Sequence, residues 1–234
     1  MPVVRPLPLL NRWWLLGLLA LAAASVFFVP VIAQDESYHA FADARTIWRI
    51  PNFWNVVSNL PFAIMGALGL WRLRGPVAGV LFVGLLLTCF GSAYYHLAPS
   101  DARLVWDRLP MTLVFMPLLT WIIAEGRSPR WEGWILVMLT SGGGASVLWW
   151  QRTGDLRPYA LVQFGPALLM LPALWRANGR RYLWGVVGFY SLAKVAEFYD
   201  HSAYSVLPLS GHTWKHILAA LAGYCIYRWR CDRS

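Results

Sequence analysis

The chain has 234 residues, of which 58% are hydrophobic and only 13% charged, and its formal net charge is +9. A soluble domain carries about a quarter charged residues, and disordered chains are poor in aliphatic and aromatic side chains, so both classes are excluded. The cations stand singly or in pairs between apolar runs rather than in a basic stripe, which argues against nucleic acid as a partner and leaves a polytopic membrane protein.

A spanning helix needs about 20 mostly apolar residues. Eight runs answer to this: Trp13–Ala33, Phe53–Trp71, Pro76–Leu97, Asp107–Ala124, Trp131–Trp150, Tyr159–Trp175, Tyr182–Tyr199 and His212–Trp229. Short connections with turn residues separate most of them, such as Arg74-Gly75-Pro76, Gly126-Arg127-Ser128-Pro129, Gly154-Asp155 and Asn178-Gly179. Tryptophans gather at run ends, as interfacial belts require. Cys89, Cys225 and Cys231 form no C-x-x-C, so neither a cysteine-rich zinc site nor a disulfide framework is expected.

Arg5 and Arg12 precede the first run. Its length favours a retained helix over a cleavable signal peptide. The expected fold is therefore an all-α integral membrane protein: a seven-transmembrane helix bundle with one extra N-terminal helix, eight spans in all. Residues 1–36 form the additional helix or signal anchor, and residues 37–234 the seven-helix domain. One side of this topology holds twelve cations (Arg5, Arg12, Arg72, Arg74, Arg127, Arg130, Arg176, Arg180, Arg181, Arg228, Arg230, Arg233). The other holds six (Arg45, Arg49, Arg103, Arg108, Arg152, Arg157). The positive-inside rule places both termini in the cytoplasm.

Polar residues within apolar runs mark function by default. Asn52, Asn55, Ser58 and Asn59 open the second run. Ser92 and His96 close the third, and Asp107 opens the fourth. Glu197, Asp200 and His201 end the seventh, and His212, Lys215 and His216 begin the eighth. All fall at the non-cytoplasmic end. His212 and His216 stand at i, i+4, which stacks both imidazoles on one helix face. His96, at the same depth, makes a third ligand, the number a catalytic zinc uses. Interfacial histidines bonded to loops or headgroups are the alternative.

Ser92 shares a helical face with His96 and can donate to an oxyanion, or it can simply ease helix packing. Asp107 fits a general base for the catalytic water; it also fits a helix N-terminal carboxylate, or a partner of Arg103 or Arg108. Lys194, Glu197 and His201 share one face at i, i+3, i+7, and a self-neutralising Lys–Glu pair is the leading reading there. Asp200 or Glu197 can orient a metal-binding histidine from behind, and Lys215 can pair with either acid. His39 carries no signal.

These segments resemble the alkaline ceramidases of the CREST superfamily of membrane hydrolases. The resemblance rests on NFWNVVSNLPF at 52–62, GSAYYH at 91–96, WDRLPM at 106–111 and SGHTWKHILA at 210–219. It covers the seven spans from about Phe53 to Trp229. It implies zinc on His96, His212 and His216, with Ser92 and Asp107 at the catalytic water, and hydrolysis of the amide bond of ceramide-like membrane lipids. Asn55, Ser58 and Asn59 belong to the matched motif as supporting residues, beside Lys194, Glu197, Asp200 and Lys215. One departure concerns calcium. The family carries an acid where this chain has Asn52, and Asp35, Glu36 and Asp43 lie at other spacings, which argues against a Ca2+ site. A multi-pass protein of a bacterial inner membrane is expected, with its active site on the non-cytoplasmic side. Rival readings are a receptor-like or lipid-remodelling esterase of the same superfamily, and a proton-coupled transporter using Lys194, Glu197 and Asp200.

Overall fold

The computed structural model describes Gly17, Ala20, Leu21, Ala22, Ala24 and residues 26–124, 128–174 and 179–232. Nine α-helices are bounded within these residues, and there is no β-strand among them. They are α1 Phe53–Val57, α2 Leu60–Arg72, α3 Pro76–Leu97, α4 Asp101–Ala124, α5 Pro129–Thr153, α6 Arg157–Leu174, α7 Arg180–Phe198, α8 Asp200–Tyr204 and α9 Gly211–Cys231. Short 3-10 turns occupy Val26–Phe28 and Glu36–His39.

The first expected span, Trp13–Ala33, lies partly outside the described residues. The described chain from Val29 to Ala33 is irregular, so the helix does not reach the expected end. Pro30, which has no N–H to donate, lies at this point. The second run divides into α1 and α2 at Ser58 and Asn59, with Pro61 in the first turn of α2. The fourth helix starts at Asp101, six residues earlier than expected, so Asp107 lies inside it and not at its N-terminus. The seventh ends at Phe198, and the separate turn α8 carries His201 away from the face of Lys194 and Glu197.

Among the described residues, three segments are long and apolar enough to cross a membrane: Phe53–Arg72 (α1 with α2), α3 and α4. Helices α5, α6, α7 and α9 have 25, 18, 19 and 21 residues, which is span length, but fall short of those three in mean hydropathy. Large apolar side chains such as Ile64, Phe90, Trp134 and Leu168 are more than half exposed on four different helices. A soluble protein rarely leaves so many uncovered, whereas lipid tails would cover them.

Helices α2, α3, α4, α6, α7 and α9 contact one another in that order, and α9 returns to α2, which closes a ring. Helix α5 packs outside it, against α4 and α6. The largest core cluster fills the ring with Leu81, Phe82, Met170, Leu174 and Leu183.

The α3–α4 pair is set by glycine and proline. Pro110 and Pro117 lie inside α4, where each removes the N–H that would bond the carbonyl four residues earlier, at Trp106 and Leu113. Those two carbonyls face glycines of α3. A Cβ on Gly91 would lie 2.0 Å from the Trp106 oxygen, and one on Gly84 would lie 2.7 Å from the Leu113 oxygen. Only glycine permits this approach. Ser92 follows Gly91 and Asp107 follows Trp106, so the close contact carries both polar residues to one level.

Candidate metal centre and cavity

His96 lies in the last turn of α3, while His212 and His216 lie in the first turns of α9. One ligand nitrogen from each falls within 4.8 Å of the other two. The ring centroids form a triangle with sides of 4.9 Å. His96 Nε2 and His216 Nε2 are 3.3 Å apart. Two nitrogens on one tetrahedral zinc, each at about 2.05 Å, stand about 3.3 Å from each other. All three side chains are buried. A buried all-imidazole set with no thiolate suits a first-row transition metal such as zinc, copper, iron or nickel.

The rings are held from behind. Ser58 Oγ lies 2.7 Å from His216 Nδ1; accepting that N–H leaves the Nε2 lone pair for a metal. Phe41 covers the triad, its ring 4.4 Å from His212 and 4.7 Å from His96. Asn52 donates from Nδ2 to the His96 carbonyl at 2.8 Å. Asn52 reaches this position with φ +48°, a left-handed conformation that asparagine tolerates. Lys215 Nζ is 3.1 Å from His212 Nε2.

Asn55 and Asp200 fix the start of α9. Asn55 Oδ1 accepts from Thr213 Oγ1 at 2.9 Å, and its Nδ2 donates to the Asp43 carbonyl. Asn59 Nδ2 donates to the Asn55 carbonyl at 2.7 Å. Asp200 Oδ1 accepts the His212 backbone N–H at 2.6 Å, and Oδ2 accepts that of Ala42 at 2.9 Å. Asp200 therefore anchors backbone and not an imidazole ring, unlike the expectation from sequence. Glu197 also misses the imidazoles. It accepts from Lys194 at 2.6 Å, Lys215 at 2.8 Å and Tyr38 at 3.1 Å. His201, at the surface, donates to the Ala40 carbonyl.

In the loop before α1, Asp43 is buried and paired with Arg45. Burial disfavours its charge, but hydrogen bonds from Arg45 outweigh this and hold the carboxyl below its ordinary range. Burial, reinforced by the negative charge of Glu197, pushes the Tyr38 phenol well above its ordinary value, so it remains a donor. His39 bridges Tyr95 Oη at 2.8 Å and Asp101 at 3.2 Å, and thereby contacts the neighbour of His96.

A cavity opens from the triad into the ring. His216 is the one triad member on its wall. Ser92, Asp107, Lys194, Glu197 and Lys215 line the same wall, with the Ser92 hydroxyl beside the Asp107 carboxylate. Leu118, Met170, Val186 and Ile226 line the deeper part. The wall on α9 runs from Lys215 to Ile226, about 16 Å at 1.5 Å per residue. The arrangement therefore has a polar head beside three imidazoles and an apolar shaft.

Sequence reasoning missed Phe41 and Tyr38, which sit in a loop without periodicity and reach the site only by tertiary folding. It counted Arg108 as a marker of topology, yet this residue is buried on the cavity wall. Residues 45–176 match a family model described as Ceramidase, which is more than half of the chain. The matched stretch includes Ser92, His96 and Asp107 and ends before α7. A comparison with curated proteins finds no match.

Proposed function

The chain belongs to the ceramidase family, and from that premise we propose that it is a zinc-dependent amide hydrolase working within the bilayer. It cleaves ceramide-like N-acyl lipids into a fatty acid and a sphingoid base or related amine. The observation that carries this reading is the junction at His216: a triad of metal-ligand spacing meets an apolar shaft beside Ser92 and Asp107. The shaft suits an acyl chain, and the polar head suits the amide.

His96, His212 and His216 would hold the zinc, which when bound would supply Lewis-acid polarisation and lower the pKa of a water toward neutrality. Asp107 accepts a proton from the attacking water on a carboxylate oxygen. Once protonated, that carboxyl can itself donate to Ser92 Oγ, which frees the Ser92 O–H to turn elsewhere. Ser92 then donates to the anion forming on the carbonyl oxygen. The C–N bond breaks, Asp107 returns the proton to the leaving nitrogen, and acid and amine separate. Water has been added across the amide with no other co-reactant. Glu197, bound by three donors, holds Lys194 and Lys215 at the wall, which leaves it poorly placed as a proton carrier for transport.

In this reading the first run, α1 with α2, and α3, α4, α5, α6, α7 and α9 make eight spans. Both termini are cytoplasmic, and the triad lies toward the opposite face. The test is elemental analysis of the purified protein together with mass spectrometry of products from N-acylsphingosine in nanodiscs. One zinc per chain and release of fatty acid are expected. Undiminished hydrolysis by a metal-free His216→Ala protein would overturn the mechanism.

A further inference from the structure

Arg108 is a cation without a carboxylate partner in a place where charge is costly. It is only 6% exposed, and among the described residues it makes no ion pair. Its guanidinium is boxed by aromatic faces, 4.0 Å from the Trp150 ring, 4.9 Å from Tyr159 and 5.9 Å from Tyr38. Nη2 donates to Gln34 Oε1 at 2.6 Å. Nη1 is buried and has no hydrogen-bond partner. A buried donor left unmade costs free energy, more so on a charged group, unless a ligand meets it.

The cavity's charge balance points the same way. Its wall carries three fixed cations, Arg108, Lys194 and Lys215, against two carboxylates, Asp107 and Glu197. Both lysines are held by Glu197, whereas Asp107 is near enough to Arg108 to feel its charge but forms no ion pair with it. Arg108 is the cation left over. A planar fork with a free N–H inside an aromatic box suits a carboxylate or a similar oxyanion. The box is built from the loop residue Tyr38, the end of α5 and the start of α6, so it lies at the loop end of the ring. The apolar shaft leads the other way.

Resting on the amidase reading above, we infer that Arg108 binds an anionic group on the amine side of the substrate, so that the preferred lipid is an N-acyl compound whose headgroup carries a carboxylate or comparable oxyanion. The box holds the guanidinium in place, and Nη1 supplies the hydrogen bond that a neutral ceramide headgroup leaves unmade. The carboxylate of the released fatty acid has the same chemistry, but it forms at the triad, on the shaft side of the scissile bond.

The test compares N-palmitoylglycine with N-palmitoylethanolamine, which share an acyl chain and differ in headgroup charge, using the full-length protein in nanodiscs. The wild type is expected to favour the acid in kcat/KM. In Arg108→Gln the acid-to-neutral ratio should fall about tenfold, the worth of one charge-assisted hydrogen bond, mainly through KM. Arg108→Lys should recover part of the ratio by keeping the charge. Equal ratios in wild type and Arg108→Gln would overturn the anion site while leaving the amidase reading intact. Weaker inhibition by palmitate in Arg108→Gln, with an unchanged substrate ratio, would assign Arg108 to the product and overturn the headgroup assignment. If the wild type cleaves neither lipid, N-acylsphingosine hydrolysis decides the amidase reading, and both lipids are titrated as ligands to decide the anion site. Tighter binding of the acid by wild type but not by Arg108→Gln sustains the anion site, and equal binding overturns it.

Discussion

Ser58 Oγ lies 2.7 Å from His216 Nδ1, so a residue at the junction of α1 and α2 sets the orientation of a ring on α9. Loss of such an outer partner typically weakens metal binding by about 10–100-fold. Ser58→Ala should therefore lower zinc affinity within that range while leaving the three imidazoles in place. Competition with a chelator of known affinity measures it, and an unchanged dissociation constant would remove Ser58 from the metal site.

Asp107 separates from the triad in its expected phenotype. Asp107→Asn keeps shape and loses the basic oxygen, so kcat should drop by about 10²–10⁴-fold with zinc content unchanged. His216→Ala should lose metal and activity together. Product release and elemental analysis on the same preparations distinguish the two patterns.

Glu197 balances two lysines. Glu197→Gln leaves Lys194 and Lys215 as cations without a carboxylate in a largely buried place, which should destabilise the protein by about 3 kcal/mol. Adding Lys194→Met should restore part of this, because it removes one of the stranded charges. Thermal unfolding in detergent reads both variants.

Gly91 tests whether helix approach positions the site. An alanine Cβ would meet the Trp106 oxygen at 2.0 Å, which is backbone and cannot swing aside. Overpacking of this kind costs about 1–3 kcal/mol. Activity should fall further than stability, because Ser92 and Asp107 separate along with their neighbours. Gly142→Ala, where a Cβ has open space, serves as the control and should change neither.

Asp155, in the loop between α5 and α6, provides a pH signature outside the long helices. Hydrogen bonds from Arg157 hold its carboxyl down at about 2. The unfolded chain would titrate near 3.9. The folded state therefore gains stability that is complete above about pH 4 and lost as pH falls toward 2. Asp155→Asn should remove this dependence. Unfolding midpoints between pH 5 and 2 check it, and parallel curves for the two proteins would refute the assignment.

The sequence made much of the site legible because the costs that shape it are local. A polar side chain in an apolar run stands out, and i, i+4 histidines share a face whatever the tertiary fold. Run order with charge counting then brought His96, Asp107 and His216 to one depth. What stayed hidden depends on how helices are arranged around one another. The order of the ring, with α5 outside it, has no local signature. Phe41 reaches the imidazoles only because its loop folds back over the bundle. Asp200 serves a backbone N–H because α8 breaks the helix that would have aimed it elsewhere. Arg108 was read by its charge alone, and only its burial shows that it faces a cavity.

The matched prolines and glycines of α3 and α4 also bear on how this scaffold can change. Trp106 with Gly91, and Leu113 with Gly84, repeat at an interval of seven residues in opposite chain directions. The two helices thus engage like a key with two teeth, and sliding by one residue would set a side chain against each freed carbonyl. A single-residue insertion between Asp107 and Pro110 would turn Asp107 by about 100° and shift it about 1.5 Å relative to the teeth. Substitutions in the shaft can alter which acyl chains fit, but insertions or deletions in this short stretch would misalign the chemistry, so diversification here is open to side chains and closed to length.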